Sequence, residues 1–314
     1  MNGNLQKEKI LISAPTHDYL PKRLATLGFD VIYKPEITYE QLTQMIGGVV
    51  GLVVTTRLKI DRAMLDAASN LKWIGRLGSG MELVDVEYAK AKGVNCISTP
   101  EGNRNAVAEH ILGLLLNLLN NISKSFTEVK AGLWLRNENR GTELNGKTVG
   151  IIGFGNNGAA FAKLLQCFGV RVLAYDKYKK GFGNDYIKEA TLIEIQEDAD
   201  VISLHIPLTS ETFHFANAAF FNGLIKPVYF INACRGAVMD TAAVVEALVN
   251  QRILGAALDV LENERLTSHN EAEKQQLAYL CGHENVIITP HIAGYSYEAF
   301  RKMADVLLSK LNLH

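Results

Sequence analysis

The chain has 314 residues, 48% of them hydrophobic and 21% charged, an ordinary globular composition with length enough for two domains rather than one. A formal net charge of −1 and a pI near 6.7 supply no global basic field for nucleic acid or an anionic membrane surface. The longest apolar stretch, 111–119, is broken by Gly113 and Asn117 and falls well short of the roughly 20 residues a membrane span requires.

The first apolar run reaches Ser13, Pro15 and Asp18 too early to form a signal-peptide core. Cys96, Cys167, Cys234 and Cys281 lie far apart without metal-ligand spacing, so they read as reduced thiols in a cytoplasmic protein with no metal site. Short β-rich runs follow at 10–13, 31–33, 52–55, 73–77 and 94–98, alternating with helical patterns. A helix over about 105–121 is apolar on nearly every face, as a helix buried between domains or subunits would be. A second strand series covers 148–153, 171–175, 201–205, 228–232, 255–259 and 286–289. Helices are expected over 159–168, over 241–250 with Asp240 as cap, and over 296–313. The alternation predicts an α/β protein with two doubly wound parallel sheets. The expected domains are 1–100 with 292–314, and 101–291.

The second series opens with Gly153-Phe154-Gly155-Asn156-Asn157-Gly158 between a strand and a helix. Gly153 permits the tight turn, Gly155 lets backbone approach a pyrophosphate, and Gly158 lets the helix pack close to the strand. Asn156 and Asn157 would supplement the backbone amides with amide side chains. Asp176 ends the next strand about 20 residues on, where a carboxylate binds ribose hydroxyls and repels a 2′-phosphate. Position 177 is Lys rather than Arg, and Lys177, Lys179 and Lys180 read as a solvated loop. The motif therefore predicts NAD as cofactor, not NADP.

Three later segments follow strands: Asn232 to Gly236, Asp259 to Glu264, and Thr289 to Gly294. Ligands of open α/β sheets bind at such C-terminal strand ends. With the glycine fingerprint, with Arg76 to Gly80 followed by Val84 and Asp85, and with Asn103 through Glu109 and His110, these segments resemble the D-isomer-specific 2-hydroxyacid dehydrogenase family along essentially the whole chain. Within it the resemblance is greatest to the phosphoglycerate dehydrogenases. It implies a Rossmann-type cofactor domain inserted in a flavodoxin-like substrate domain, an active site in the cleft between them, and a homodimer built from the 111–119 helix and the arm through Trp134.

Hydride transfer to a ketone leaves an alkoxide that needs a proton, and His291 is the candidate donor. By resemblance Glu264 pairs with it, since a carboxylate beside an imidazole favours the charged form. Arg235 offers a planar fork to the substrate carboxylate and carbonyl oxygen, and the Ser79–Gly80 amides would hold the carboxylate from the other side. The resemblance further implies that Asp259 contacts the nicotinamide carboxamide. It also places Ser79, His205, Ile206, Pro207, Ala233, Cys234, Arg235, His291 and Ala293 along the cofactor. His17, His214, His269, His283 and His314 are expected at the surface or in turns.

The sequence departs from the family at Arg265, where the catalytic Glu is usually followed by Pro, and in a helix-like charged insertion over 266–280. Thr55 stands where phosphoglycerate dehydrogenases carry a phosphate-binding Arg. Arg57, two residues on, would reach the same face if the strand continues, with Lys59 after it. The family's regulatory small-molecule domain is not expected after the terminal helix. Phosphohydroxypyruvate/3-phosphoglycerate interconversion in serine biosynthesis is the leading expectation. Reduction of an unphosphorylated 2-oxo acid (hydroxypyruvate, glyoxylate, pyruvate) is the alternative, and a non-catalytic NAD-sensing protein the third reading.

Overall fold

The computed structural model describes residues 7–313; His314 lies outside them. Two compact units emerge, one from Met1–Arg104 with Tyr295–His314 and the other from Asn105–Gly294.

The first unit alternates strand and helix: β1 (Lys9–Ile12), α1 (Tyr19–Thr26), β2 (Asp30–Tyr33), α2 (Tyr39–Met45), β3 (Val49–Val54), α3 (Arg62–Ala67), β4 (Trp73–Arg76), α4 (Val86–Ala91) and β5 (Asn95–Ser98). Its strands pair in parallel in the order β2-β1-β3-β4-β5, the flavodoxin-like order. Ile10, Ile12, Val53 and Ile97 line one face and Leu11, Leu52, Val54 and Ile74 the other. Both faces are apolar because helices cover both, as a parallel sheet requires.

The chain then enters α5 (Pro100–Leu119) and the second unit, with α6 (Ile122–Lys130), β6 (Thr148–Ile152), α7 (Asn156–Leu165), β7 (Arg171–Tyr175), β8 (Ile187–Glu189), α8 (Leu192–Asp198), β9 (Val201–Leu204), α9 (Ala218–Asn222), β10 (Val228–Asn232), α10 (Thr241–Val249), β11 (Ile253–Leu258), α11 (Glu271–Gly282) and β12 (Val286–Ile288). Asp240 caps α10 by accepting from the Ala242 and Ala243 amides. The seven parallel strands run β12-β11-β10-β9-β6-β7-β8, the Rossmann order with one added strand, and the strand order reverses between β6 and β9. The chain closes in α12 (Tyr297–Lys310), which starts at the Ser296 cap and buries Met303, Ala304, Leu307 and Leu308 in the first unit. The two doubly wound sheets are the α/β architecture expected from the alternation.

Several details differ from expectation. Along α5, Val107, Ile111, Leu115 and Leu118 enter the second unit's own core, while Glu109 and Gly113 are exposed. The insertion over 266–280 is not one helix: a 3-10 turn (Leu266–Ser268) precedes α11, which restarts at an Asn270/Glu273 capping box. β3 ends at Val54, and 56–58 form a bend, so the period-two argument that put Arg57 on the face of Thr55 does not apply. Among the described residues no helix is long and apolar enough to cross a membrane.

Candidate active site

The fingerprint turn is shaped by its glycines. Gly153 has φ +97°, and a Cβ there would lie 2.5 Å from the His205 carbonyl oxygen. A Cβ on Gly158 would lie 2.1 Å from the Gly153 carbonyl oxygen, so the first turn of α7 rests directly on the turn that precedes it. Around Gly155, the N-cap of α7, the space is open. Asn157 Oδ1 in that first turn is buried with no hydrogen-bond partner among the described residues, and buried polar atoms are ordinarily paired. An open helix N-terminus at the sheet's reversal point fits a dinucleotide pyrophosphate, while Asn157 Oδ1, an acceptor only, is open to a donor such as a hydroxyl or water.

Asp176 follows β7 and accepts from the amides of Phe154 (2.9 Å), Tyr178 (2.9 Å) and Lys179 (2.9 Å). Burial raises its carboxyl, but these three N–H groups outweigh that and hold it below the usual carboxylate range. It is a fixed anion. Lys177, Lys179 and Lys180 are exposed, as expected of a solvated loop, and Lys179 Nζ also donates to the Phe154 carbonyl at 3.1 Å. Lys177 Nζ and the Tyr178 hydroxyl both engage Glu211 Oε2, at 2.7 and 2.6 Å. Burial drops His205 to about 3, so this imidazole is neutral, with Nε2 at 2.9 Å from Ser203 Oγ. Ile206 and Pro207 follow it. Burial lifts the Cys234 thiol to about 11, so Cys234 is not a thiolate nucleophile near neutral pH.

Arg235, Glu264 and His291 come from the loops after β10, β11 and β12, three neighbouring strands. Asn232, fully buried, fastens the first loop: its Oδ1 accepts from the Cys234 amide (3.1 Å) and its Nδ2 donates to the Arg235 carbonyl (3.0 Å). Arg235 Nη1 donates to the Cys234 carbonyl at 2.6 Å. A Cβ on Gly236 would lie 1.8 Å from the Leu261 carbonyl oxygen, so the loops bearing Arg235 and Glu264 are packed backbone on backbone. His291 Nδ1 lies 3.0 Å from Glu264 Oε2 and 2.9 Å from Oε1. A carboxylate only accepts, so Nδ1 carries the hydrogen and Nε2 is left to face a ligand.

His291 has φ +56°, a left-handed conformation uncommon outside glycine. Its amide donates to the Asp259 and Thr289 carbonyls at 2.8 and 3.0 Å. Asp259, expected on the carboxamide, is fully buried, and its carboxylate accepts from Thr289 Oγ1 (2.6 Å) and from the Ile292 (2.9 Å) and Ala293 (2.8 Å) amides. Burial raises this carboxyl, but bonds from His110, Thr289, Ala293 and Ile292 hold it below its ordinary value.

Some structural partners were not singled out in the sequence. Glu262 joins His214 Nε2 (2.6 Å) to the Thr241 amide (2.7 Å). The insertion braces the residue before Glu264: Asn263 accepts at its carbonyl from His269 Nε2 (2.8 Å) and donates through Nδ2 to Glu273 (3.1 Å). His269 is thus buried rather than at the surface, because its ring closes that brace.

In the first unit, Ser79 and Gly80 follow β4. Gly78, at φ +134°, lies under the Arg76 guanidinium and donates to Thr99 Oγ1 at 2.9 Å. Arg57, after β3, donates through Nη2 to the Ser13 carbonyl (3.0 Å) and to the Ile37 carbonyl. The strands before these two loops are neighbours.

Residues 112–293 match the family model "D-isomer specific 2-hydroxyacid dehydrogenase, NAD binding domain". A hydroxypyruvate reductase of Thermotoga maritima is 35% identical over 274 residues, 87% of each chain. A D-3-phosphoglycerate dehydrogenase of Rattus norvegicus is 35% identical over 296 residues, 93% of this chain but 53% of that protein, so the chain spans about half its length. Among solved structures, a D-lactate dehydrogenase of Aquifex aeolicus with NAD and lactic acid superposes with a TM-score of 0.83 at 27% identity, covering 97% of this chain and 94% of that one.

Proposed function

The chain belongs to the D-isomer specific 2-hydroxyacid dehydrogenase family and is an NAD-dependent oxidoreductase, and on that premise we propose that it interconverts a short 2-oxo acid with its D-2-hydroxy acid through His291, Glu264 and Arg235. The observation that carries this reading is the His291 Nδ1–Glu264 pair at 3.0 Å, which leaves Nε2 to hold the transferable proton. Nicotinamide, when bound, supplies or takes up the hydride. In reduction, His291 Nε2 gives its proton to the carbonyl oxygen as the carbon gains hydride; in oxidation the same nitrogen takes the hydroxyl proton. Glu264 keeps the ring oriented and offsets the imidazolium charge. Arg235 binds the substrate carboxylate and polarises the carbonyl, and the Ser79–Gly80 amides assist with the carboxylate.

For the cofactor, Gly153, Gly155 and Gly158 shape the pyrophosphate cradle, with the first turn of α7 (Asn156, Asn157) supplying amides. Asp176 holds the ribose hydroxyls. His205, Ile206, Pro207, Ala233, Cys234 and Ala293 line the cofactor, and Asp259 serves it by fixing the loop of His291. Support for NAD over NADP is the fixed Asp176 anion and the pairing of Lys177 with Glu211, which leaves that lysine's charge already balanced.

Phosphohydroxypyruvate/3-phosphoglycerate is the first candidate pair, which would place the chain in serine biosynthesis. Arg57 is held at Nη2 by two carbonyls, which fixes the guanidinium and leaves its Nη1 donors for a single-point contact with an anion. The unphosphorylated reading, with hydroxypyruvate foremost, is favoured by the Thermotoga relative's name and by the same two carbonyls, which are reason enough for an arginine there. A homodimer is supported by α6, whose Ile122, Phe126 and Val129 share one face at 54%, 64% and 49% exposure, continuing to Trp134 at 80%. Four unbridged cysteines support a cytoplasmic setting. The test is NADH oxidation with phosphohydroxypyruvate, hydroxypyruvate, glyoxylate and pyruvate. Turnover to the D-hydroxy acid is expected; NADH binding without turnover on any of them would leave an NAD-sensing protein.

A further inference from the structure

The loop that carries His291 is held by a chain of side chains that begins on a distant helix. His110, in the middle of α5, places Nε2 at 3.1 Å from Thr289 Oγ1 and 3.5 Å from Asp259 Oδ1. Thr289 Oγ1 donates to Asp259 Oδ1 at 2.6 Å. A hydroxyl has one hydrogen, and Thr289 gives it to the carboxylate, so toward His110 the hydroxyl accepts and Nε2 of His110 must carry a hydrogen. The direction of the whole chain is therefore fixed: His110 Nε2–H to Thr289 Oγ1–H to Asp259. The same Asp259 carboxylate then takes the Ile292 and Ala293 amides at 2.9 and 2.8 Å, closing a loop around His291 on both sides. His291 sits within it at φ +56°, a conformation that persists in a non-glycine residue only where its surroundings over-determine it.

We propose that His110 and Thr289 are positioning residues for His291: their relay into Asp259 clamps the 289–293 loop in the left-handed turn that aims the imidazole. Neither residue is assigned contact with the substrate or the reacting atoms. Removing the hydroxyl leaves Asp259 short of one donor, and the loop gains freedom at the residue whose Nε2 must meet a carbonyl oxygen. Small displacements of a reacting group are costly to rate; about 1 Å can cost on the order of 100-fold.

This rests on the reading of His291 as proton carrier, and the experiment keeps the two apart. Thr289→Val, Thr289→Ser and His110→Gln are compared with the parent for kcat, KM and NADH Kd by fluorescence, with far-UV circular dichroism reporting the fold. Thr289→Val should lower kcat about tenfold or more while NADH Kd stays near the parent value, and Thr289→Ser should restore most of it. His110→Gln, which keeps an N–H donor on a differently shaped side chain, should fall between parent and Thr289→Val, and it serves as the reporter if Thr289→Val does not fold. Parental kcat in the folded Thr289→Val or His110→Gln variant overturns the proposal. So does a loss of NADH affinity as large as the loss of kcat, which would assign the relay to the cofactor pocket. Failure of the proton-carrier reading has a different signature, namely unchanged turnover in His291→Ala.

Discussion

The Nδ1 atom of His291 lies 3.0 Å from the carboxylate of Glu264, 27 positions earlier in the chain, with neither side chain buried from water. An exposed ion pair of this kind adds little to stability, so its consequence is sought in the orientation of the ring. Glu264→Gln keeps an acceptor for Nδ1–H but loses the charge. Its kcat for reduction should fall about tenfold or more, the lower part of the range for general acid–base effects, with NADH Kd unchanged and Glu264→Ala slower still. Parental kcat in both variants would reduce Glu264 to a surface charge.

Asp176 and Glu211 bear on cofactor choice from two loops. NADH should support turnover at least tenfold better than NADPH, about 1.4 kcal/mol of discrimination. Asp176→Ala should narrow that gap. Adding Glu211→Ala, which removes the acceptor of Lys177 and Tyr178, should narrow it further by strengthening NADPH binding, read directly as Kd. Equal use of both cofactors by the unaltered protein would remove Asp176 from the ribose.

Much of the fold was legible in the sequence because its strands are short β-branched apolar runs between turn residues. The 171–175 and 228–232 runs coincide with β7 and β10. Elements without such a run escaped: β8 is only Ile187–Glu189, α9 has five residues, and α6 starts from Asn121 at φ +52° with no side-chain cap. The glycine fingerprint and Asp176 were legible because their chemistry is local, a turn and a carboxylate at set spacing. His110 meeting Thr289 was not, because 179 positions separate them and only the strand order brings α5 to the end of β12. The arginine after β3 could be placed near Thr55 by count, but its direction depended on where the strand stopped.

Arg57 decides between the two substrate classes. A charge-assisted contact is worth roughly 1.5–3 kcal/mol, so Arg57→Ala should raise KM for phosphohydroxypyruvate about tenfold or more while KM for hydroxypyruvate hardly moves. Equal losses on both, or no activity on phosphohydroxypyruvate at all, would assign Arg57 to holding the Ser13 and Ile37 carbonyls and the enzyme to an unphosphorylated acid.

The exposed face of α6 carries the assembly prediction. Sedimentation of the unaltered protein should give a dimer, and Phe126→Asp combined with Trp134→Asp should shift it to monomer at the same concentration. A monomeric parent, or a double variant that still sediments as a dimer, would place the interface elsewhere or nowhere.

The proton-carrying role of His291 is tested most directly by His291→Ala, measured as single-turnover reduction alongside NADH Kd. The account predicts near-parental NADH binding with kcat down about 100-fold or more, at every pH where the protein is folded. Turnover at the parent rate across that pH range, with NADH bound as before, would mean that another group delivers the proton.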